Sequence, residues 1–279
     1  MPSTSVHATA TTPRRRRARP RSPGPPSAQT IQRTVPSVTA DSFSKSSEGA
    51  DTGRVSDCCD SGSYRATFSD RFARRLARRY RRHGLNRTQR RLVGFLAARG
   101  IEGATVLEIG GGVGDLQVEL LRRRAASVTN LELSTGYEEQ ARDLLERSGL
   151  KGRVERRFID IAVSPDQVEA ADVVVLHRVV CCYPDYHRLL SSAGGHANRL
   201  LVYTHPPAHP FTRFVIGCDN MLRRLRRNDF RAFVHPPDAM LEVLREQGLT
   251  VRYRHRGLFW TVVGLERTSI GQPGGHAGA

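Results

Sequence analysis

Val106-Leu107-Glu108-Ile109-Gly110-Gly111-Gly112-Val113-Gly114-Asp115 is the stretch on which the fold of this chain turns. An apolar run ends at Ile109, three glycines follow, and an acidic residue opens an amphipathic segment. Glycines at that junction let the backbone turn sharply from strand to helix and approach a ligand at the helix N-terminus. Two cofactor patterns use such a turn. The dinucleotide fingerprint G-x-G-x-x-G needs a third glycine at position 115 counted from Gly110, or at 117 counted from Gly112. Those positions hold Asp115 and Gln117, so it fails in both registers. G-x-x-x-x-G-K-[ST] is also absent, which leaves phosphate hydrolysis without support.

Around the glycine turn the pattern alternates. Thr105–Ile109, Ser127–Leu131, Val154–Ile159, Asp172–Leu176 and Leu200–Thr204 read as strands. Asp115–Arg124, Gly136–Arg147 and Asp185–Ala193 read as the helices between them. Repeated β-α units of this length predict a doubly wound, mostly parallel sheet with helices on both faces. Thr250–His255 and Leu258–Leu265, separated by Arg256-Gly257, predict that the sheet ends in an antiparallel hairpin. On the N-terminal side, Phe68, Phe72, Leu76 and Tyr80 recur at helical spacing between Ser69-Asp70 and Gly84. Asn86 caps a second helix that runs to Gly100.

What the glycine turn does carry is an acid, a spacer and G-x-G-x-G, from Glu108 to Gly114. This resembles the first motif of the class I S-adenosylmethionine-dependent methyltransferases. Glu132 stands 20 residues after Gly112, at the end of the second strand, where a carboxylate can accept both hydroxyls of a ribose. The family keeps an acid there. Asp160-Ile161, after the third strand, matches the family's acid for the adenine amino group and the apolar residue beside the ring. The resemblance spans residues 101–268 and implies a seven-stranded Rossmann-like fold with S-adenosyl-L-methionine as cofactor. The contacts it implies are Glu108, Gly110, Gly112, Glu132, Leu133, Asp160, Ile161 and His177.

The fourth strand leads into Leu176-His177-Arg178-Val179-Val180-Cys181-Cys182-Tyr183-Pro184. Open α/β sheets bind ligands at the carboxyl ends of their strands, and in the family this end faces the sulfonium and the methyl acceptor. The [DNS]-P-P-[YFW] of methyltransferases acting on base amines is missing. The loop is more similar to those of small-molecule enzymes, among them uncharacterised actinobacterial methyltransferases and, more distantly, the magnesium-protoporphyrin O-methyltransferases. The latter have His-Tyr-Pro where this chain has Cys182-Tyr183-Pro184. Cys182 and Tyr183 are therefore expected in the acceptor pocket. Methyl transfer draws most of its rate from alignment. Where an acceptor proton must leave, His177 is the first candidate base and His205, at the end of the fifth strand, the second. The other reading of His177 is a hydrogen bond to cofactor or neighbour.

The chain's 279 residues carry a formal net charge of +17, and only Lys45 and Lys151 of its 44 basic residues are lysines. Such an arginine bias follows from base composition as readily as from function, so charge alone does not argue for nucleic acid. The five cysteines show no zinc spacing and no metal site is expected. Cys181-Cys182 read as pocket lining, or as a thiol pair facing Cys58-Cys59 across the site. Residues 1–56 have a Ser/Thr/Pro/Arg composition that cannot bury a core and are expected to be a disordered basic tail. Residues 57–100 form a helical cap, 101–268 the catalytic domain, and 269–279 a Gly-rich tail. Free thiols, and the want of a signal peptide or membrane span, point to the cytoplasm.

The expected activity is methyl transfer to a small, lipophilic acceptor, at oxygen or carbon rather than nitrogen. A magnesium-protoporphyrin-type O-methyltransferase, an RNA methyltransferase and a non-catalytic cofactor-binding protein are the alternatives. Phe211–Arg227 carries an apolar stripe edged by arginines. It reads as a cover for the acceptor, as a helix packed on the sheet, as a peripheral contact with an anionic membrane, or as a surface for RNA. The sequence does not set the oligomeric state.

Overall fold

The computed structural model describes Tyr64 and residues 67–268. Both tails and Cys58-Cys59 lie outside the described residues. Two cap helices come first, α1 (Asp70–His83) and α2 (Arg87–Ala98). Asn86 closes a capping box on α2 with Gln89, and Gly84 ends α1 at a φ of 63°. The remaining elements are β1 (Thr105–Ile109), α3 (Asp115–Arg122), β2 (Ser127–Leu131), α4 (Glu138–Arg147), β3 (Val154–Arg157) and β4 (Ala171–Leu176). They are followed by α5 (Tyr186–Gly195), β5 (Ala197–His205), α6 (Pro210–Leu225), α7 (Pro237–Glu246), β6 (Leu249–Arg256) and β7 (Thr261–Arg267).

The seven strands lie in the order β3-β2-β1-β4-β5-β7-β6. All pairs up to β4-β5 are parallel, and β7 runs antiparallel to both β5 and β6. The expected doubly wound sheet with an antiparallel end is thus the architecture. Strands β1, β4 and β5 are covered on both faces, which is why their inner stretches read as mostly apolar runs, β1 with the buried Glu108 as its exception. Alternate residues divide between two cores. Leu107, Val174, Leu176, Leu201 and Tyr203 pack with α5 and α7 on one face. Val106, Val173, Val175, Leu200 and Val202 pack with α2, α3 and α4 on the other.

Four local expectations need correction. β3 stops at Arg157, because Glu132 N–H takes the Arg157 carbonyl as the last rung and Phe158 turns half out to solvent. The helix expected from Gly136 opens with a 3₁₀ turn, Thr135–Tyr137, since the Ser134 side chain accepts the Gly136 N–H. The hairpin connection is the four residues 257–260, closed by a hydrogen bond from Gly257 N–H to the Trp260 carbonyl. Leu258 and Phe259 looked like strand residues but stand exposed at its tip. Finally, α7 went unread behind its two leading prolines, although Pro at the first helical position is a start signal.

Candidate functional site

The glycine turn is anchored residue by residue. Gly110 N–H donates to the Leu131 carbonyl (2.7 Å), Gly111 N–H to Asn130 Oδ1 (2.9 Å) and Gly112 N–H to Glu132 Oε2 (2.9 Å). Beneath the turn Glu108 is buried and accepts from Gln117 Nε2 at 2.8 Å. Burial pushes its carboxyl up to about 8, so it holds a proton under the loop at neutral pH. A Cβ on Gly111 would overlap Asn130, Glu108 and Gln117 together. The Gly112 carbonyl accepts from Arg156 Nη2 (3.0 Å), whose guanidinium also pairs with Glu138 at 2.7 Å.

Two carboxylates face the open side of the turn. Glu132 is buried, with Oε1 accepting from the N–H groups of Leu133 (2.9 Å) and Ser134 (3.3 Å) and Oε2 from Gly112. Burial raises its pKa and the three N–H donors oppose that rise. Asp160 accepts from Ala162 N–H and from the Tyr183 hydroxyl, both at 2.9 Å. Tyr183 therefore serves Asp160 from the loop after β4, a tie the sequence reading did not foresee.

At the end of β4, Thr204 fixes two consecutive residues. Its hydroxyl accepts the Arg178 N–H at 2.8 Å and meets His177 Nδ1 at 3.2 Å. A neutral imidazole accepts at one ring nitrogen and donates at the other, and this hydroxyl, with one proton and a second lone pair, suits either arrangement. Burial, with Arg178 beside it, pulls the imidazole down to about 3. His177 is thus neutral at physiological pH. Arg178 takes a φ of 62°, rare for a residue with a side chain, and lays its guanidinium 4.8 Å over Trp260.

Cys181 and Cys182 form one turn of 3₁₀ helix with their sulfurs 3.7 Å apart. Their mutual hydrogen bond favours ionisation at Cys181 and opposes it at Cys182. Among the described residues no group of three or more His, Cys, Asp or Glu side chains is placed to hold a metal ion.

One cavity joins these parts, enclosing about 1230 Å³ of space with its open mouth included. Gly110, Gly112, Glu132, Leu133, Asp160, Ile161, His177, Cys182 and Tyr183 all line it. Glu108 does not, lying one layer below the turn, and neither does His205. The latter is buried against Tyr203, with Nδ1 2.8 Å from the Pro206 carbonyl. The opposite wall comes from the cap. Tyr64, Phe68, Phe72 and Leu76 close it above Tyr137, with Phe68 and Tyr137 rings stacked at 6.1 Å. Arg79 and Arg178 also line it, and neither makes an ion pair among the described residues.

Tyr137, Arg156 and Thr204 escaped the sequence reading. None belongs to a motif, and each acts through a partner at least 18 residues away, as Thr204 does on His177, 27 residues apart. The shape nonetheless suits an adenosyl ligand. Glu132, hydrogen-bonded to the glycine turn, lines the cavity together with Asp160 and Ile161.

A sequence profile described as a methyltransferase domain matches residues 72–258. No curated protein sequence matches the chain. Among solved structures, magnesium protoporphyrin IX methyltransferase from Synechocystis PCC 6803, bound to S-adenosylhomocysteine, superposes with a TM-score of 0.60 at 18% identity, over 75% of this chain and 100% of that one. An O-methyltransferase family protein from Burkholderia thailandensis gives 0.56 at 20% identity, over 72% of this chain and 60% of that one. At these identities the likeness is one of fold.

Proposed function

This chain belongs to the class I S-adenosylmethionine-dependent methyltransferases, and from that premise we propose that it methylates an oxygen or carbon of a small lipophilic molecule held against the cap. The observation that carries this reading is the continuity of the cavity. One end is a glycine turn with two hydrogen-bonded carboxylates, and the other is a wall of aromatic rings. S-adenosylmethionine supplies a methyl group already activated on a sulfonium.

In this reading Glu132 accepts the ribose hydroxyls, Asp160 the adenine amino group, and Ile161 and Leu133 pack on the cofactor. Gly110 and Gly112 let the backbone approach it. Glu108 acts from below by holding the turn. His177 is a donor through Nε2, pointing a proton at cofactor or acceptor, rather than the base of the reaction. A base with a conjugate acid near 3 takes a proton poorly at neutral pH, and His205 is walled off from the cavity. Alignment then supplies most of the rate. Residues 57–100 act as the acceptor cap and 101–268 as the catalytic domain, in the cytoplasm.

Calorimetry with S-adenosylhomocysteine tests the cofactor half. Transfer of labelled methyl to a panel of quinols, phenolic acids and a magnesium porphyrin tests the acceptor half. Tight cofactor binding with no transfer to any of them would favour a non-catalytic binding protein. His177→Gln, which keeps an N–H donor but no base, should retain most of the turnover that His177→Ala loses. Equal loss in both would restore the base.

A further inference from the structure

Helix α6 is built inside out. Its half-buried positions are Thr212, Ile216, Asp219, Asn220 and Arg223, a mostly polar face turned toward the protein. Asn220 exchanges two hydrogen bonds with the Ala232 backbone, at 2.8 and 2.9 Å, and Arg223 pairs with Asp219 and covers the Phe230 ring. The apolar stripe points the other way. Phe211, Phe214, Met221 and Leu225 are each about two-thirds exposed or more (71%, 69%, 66% and 72%), and no residue of this 16-residue helix is buried. The hairpin tip adds Leu258 and Phe259, at 76% and 73%. Because His205 pairs with Thr261, that tip stands at the same end of the sheet from which α6 departs. Exposed apolar side chains on two elements at one end of the sheet mark an interaction surface.

The charge around it selects the occupant. Arg213 and Arg224 are exposed on α6 and Arg226 and Arg227 just past its end, and the helix's one acid, Asp219, pairs with Arg223. A second copy of this chain would bring a further +17 to the contact, and the N-terminal 63 residues are themselves arginine-rich. The face therefore calls for something apolar and anionic at once. We infer that α6 and the 257–260 tip lie on an anionic phospholipid bilayer, apolar side chains in the acyl boundary and arginines at the headgroups. The inner side of α6 rests on Phe230, whose ring meets the cavity-lining Tyr64 and Phe68 edge-on. A lipophilic acceptor leaving the bilayer here is one aromatic layer from the site, a consequence that rests on the proposed function, whereas the docking surface does not.

The test is flotation of the full chain with phosphatidylcholine vesicles and with vesicles that also contain phosphatidylglycerol, at low and physiological salt. Binding to the anionic vesicles should weaken with salt but persist. The pair Phe214→Ser with Leu225→Ser should cut it by about tenfold or more, the scale expected for withdrawing two inserted apolar side chains. A basic tail acting alone would leave that pair as tight as the parent, which would overturn the inference. So would salt-independent self-association dispersed by the same substitutions, or binding to acidic protein without any vesicle binding. Phe214→Trp fluorescence, quenched by acyl chains carrying bromine, gives a second readout; no quenching counts against insertion. S-adenosylhomocysteine affinity of the serine variant should equal the parent's, so a failure of the methyltransferase reading is seen separately.

Discussion

Replacing Gly111 by alanine isolates what the glycine turn requires. The added carbon would meet three polar side chains at once, those of Asn130, Glu108 and Gln117. None is the free end of a flexible chain. Asn130 accepts the Gly111 N–H, Glu108 accepts from Gln117 at 2.8 Å, and all three residues are buried. Overpacking alone costs about 1–3 kcal/mol. Displacing these groups also leaves at least one buried donor or acceptor unmet, at about 1–3 kcal/mol more. A total of about 2–6 kcal/mol corresponds to a fall of roughly 4–24 °C in Tm for a domain of this size. Gly112→Ala is the contrast. Its φ of 56° is unfavourable for alanine, but the nearest atom to a new Cβ is Tyr137 at 3.5 Å. That change should cost only about 1–2 kcal/mol in stability, yet weaken S-adenosylhomocysteine more, because Gly112 lines the cavity. Gly152→Ala, with nothing within 4 Å, is the neutral control. Scanning fluorimetry and calorimetry on the three variants give the order. A Gly111→Ala protein that melts within about 2 °C of the parent would refute the packing argument.

Glu108 predicts a pH dependence. The folded chain holds its proton up to about 8, whereas the unfolded chain releases it near 4.5. Folding stability from this group is therefore full below 4.5 and declines as pH rises toward 8, by a few kcal/mol in order of magnitude. Glu108→Gln should flatten part of that decline in urea titrations between pH 5 and 8; an unchanged slope would remove Glu108 as its source. Tyr183→Phe deletes the hydroxyl that holds Asp160 at 2.9 Å, and should weaken S-adenosylhomocysteine by roughly 2- to 13-fold, the range for one typical hydrogen bond. Equal affinity by calorimetry would show that Asp160 needs no such support. Glu138→Ala strips the partner from Arg156, whose side chain is only 10% exposed. Denaturant unfolding should show a loss of about 1–3 kcal/mol, and a loss under 0.5 kcal/mol would mean water takes the carboxylate's place.

Much of the sheet is written in periodicity. The runs at 105–109, 172–176 and 200–204 are mostly apolar because those strands are covered on both faces. The glycine turn, Glu132 and Asp160 fall at strand ends, where spacing alone brings them to one cavity. What escaped had no local signature. The Thr204–His177 bond ties the end of β5 to the residue after β4, 27 positions apart, and no motif announces it. Leu258 and Phe259 have the composition of strand residues, and only the register of β6 against β7 moves them into the turn. The stripe on α6 is plain in the sequence, but nothing in a helical period says which side of the stripe faces the protein.

The seam between the N-terminal helices and the sheet has a thermodynamic consequence. Ser134, two residues past Glu132, donates from its hydroxyl to the Phe68 carbonyl at 3.0 Å, and Gly136 packs against the same stretch of cap backbone. Phe68 and Glu132 both line the cavity, and in the proposed reading they wall its acceptor and cofactor ends. A ligand that stiffens either side of this seam works on the other. The two affinities must therefore be reciprocal: whatever factor the acceptor adds to cofactor binding, the cofactor returns to the acceptor. The factor is read from two titrations of one ligand, with and without the other.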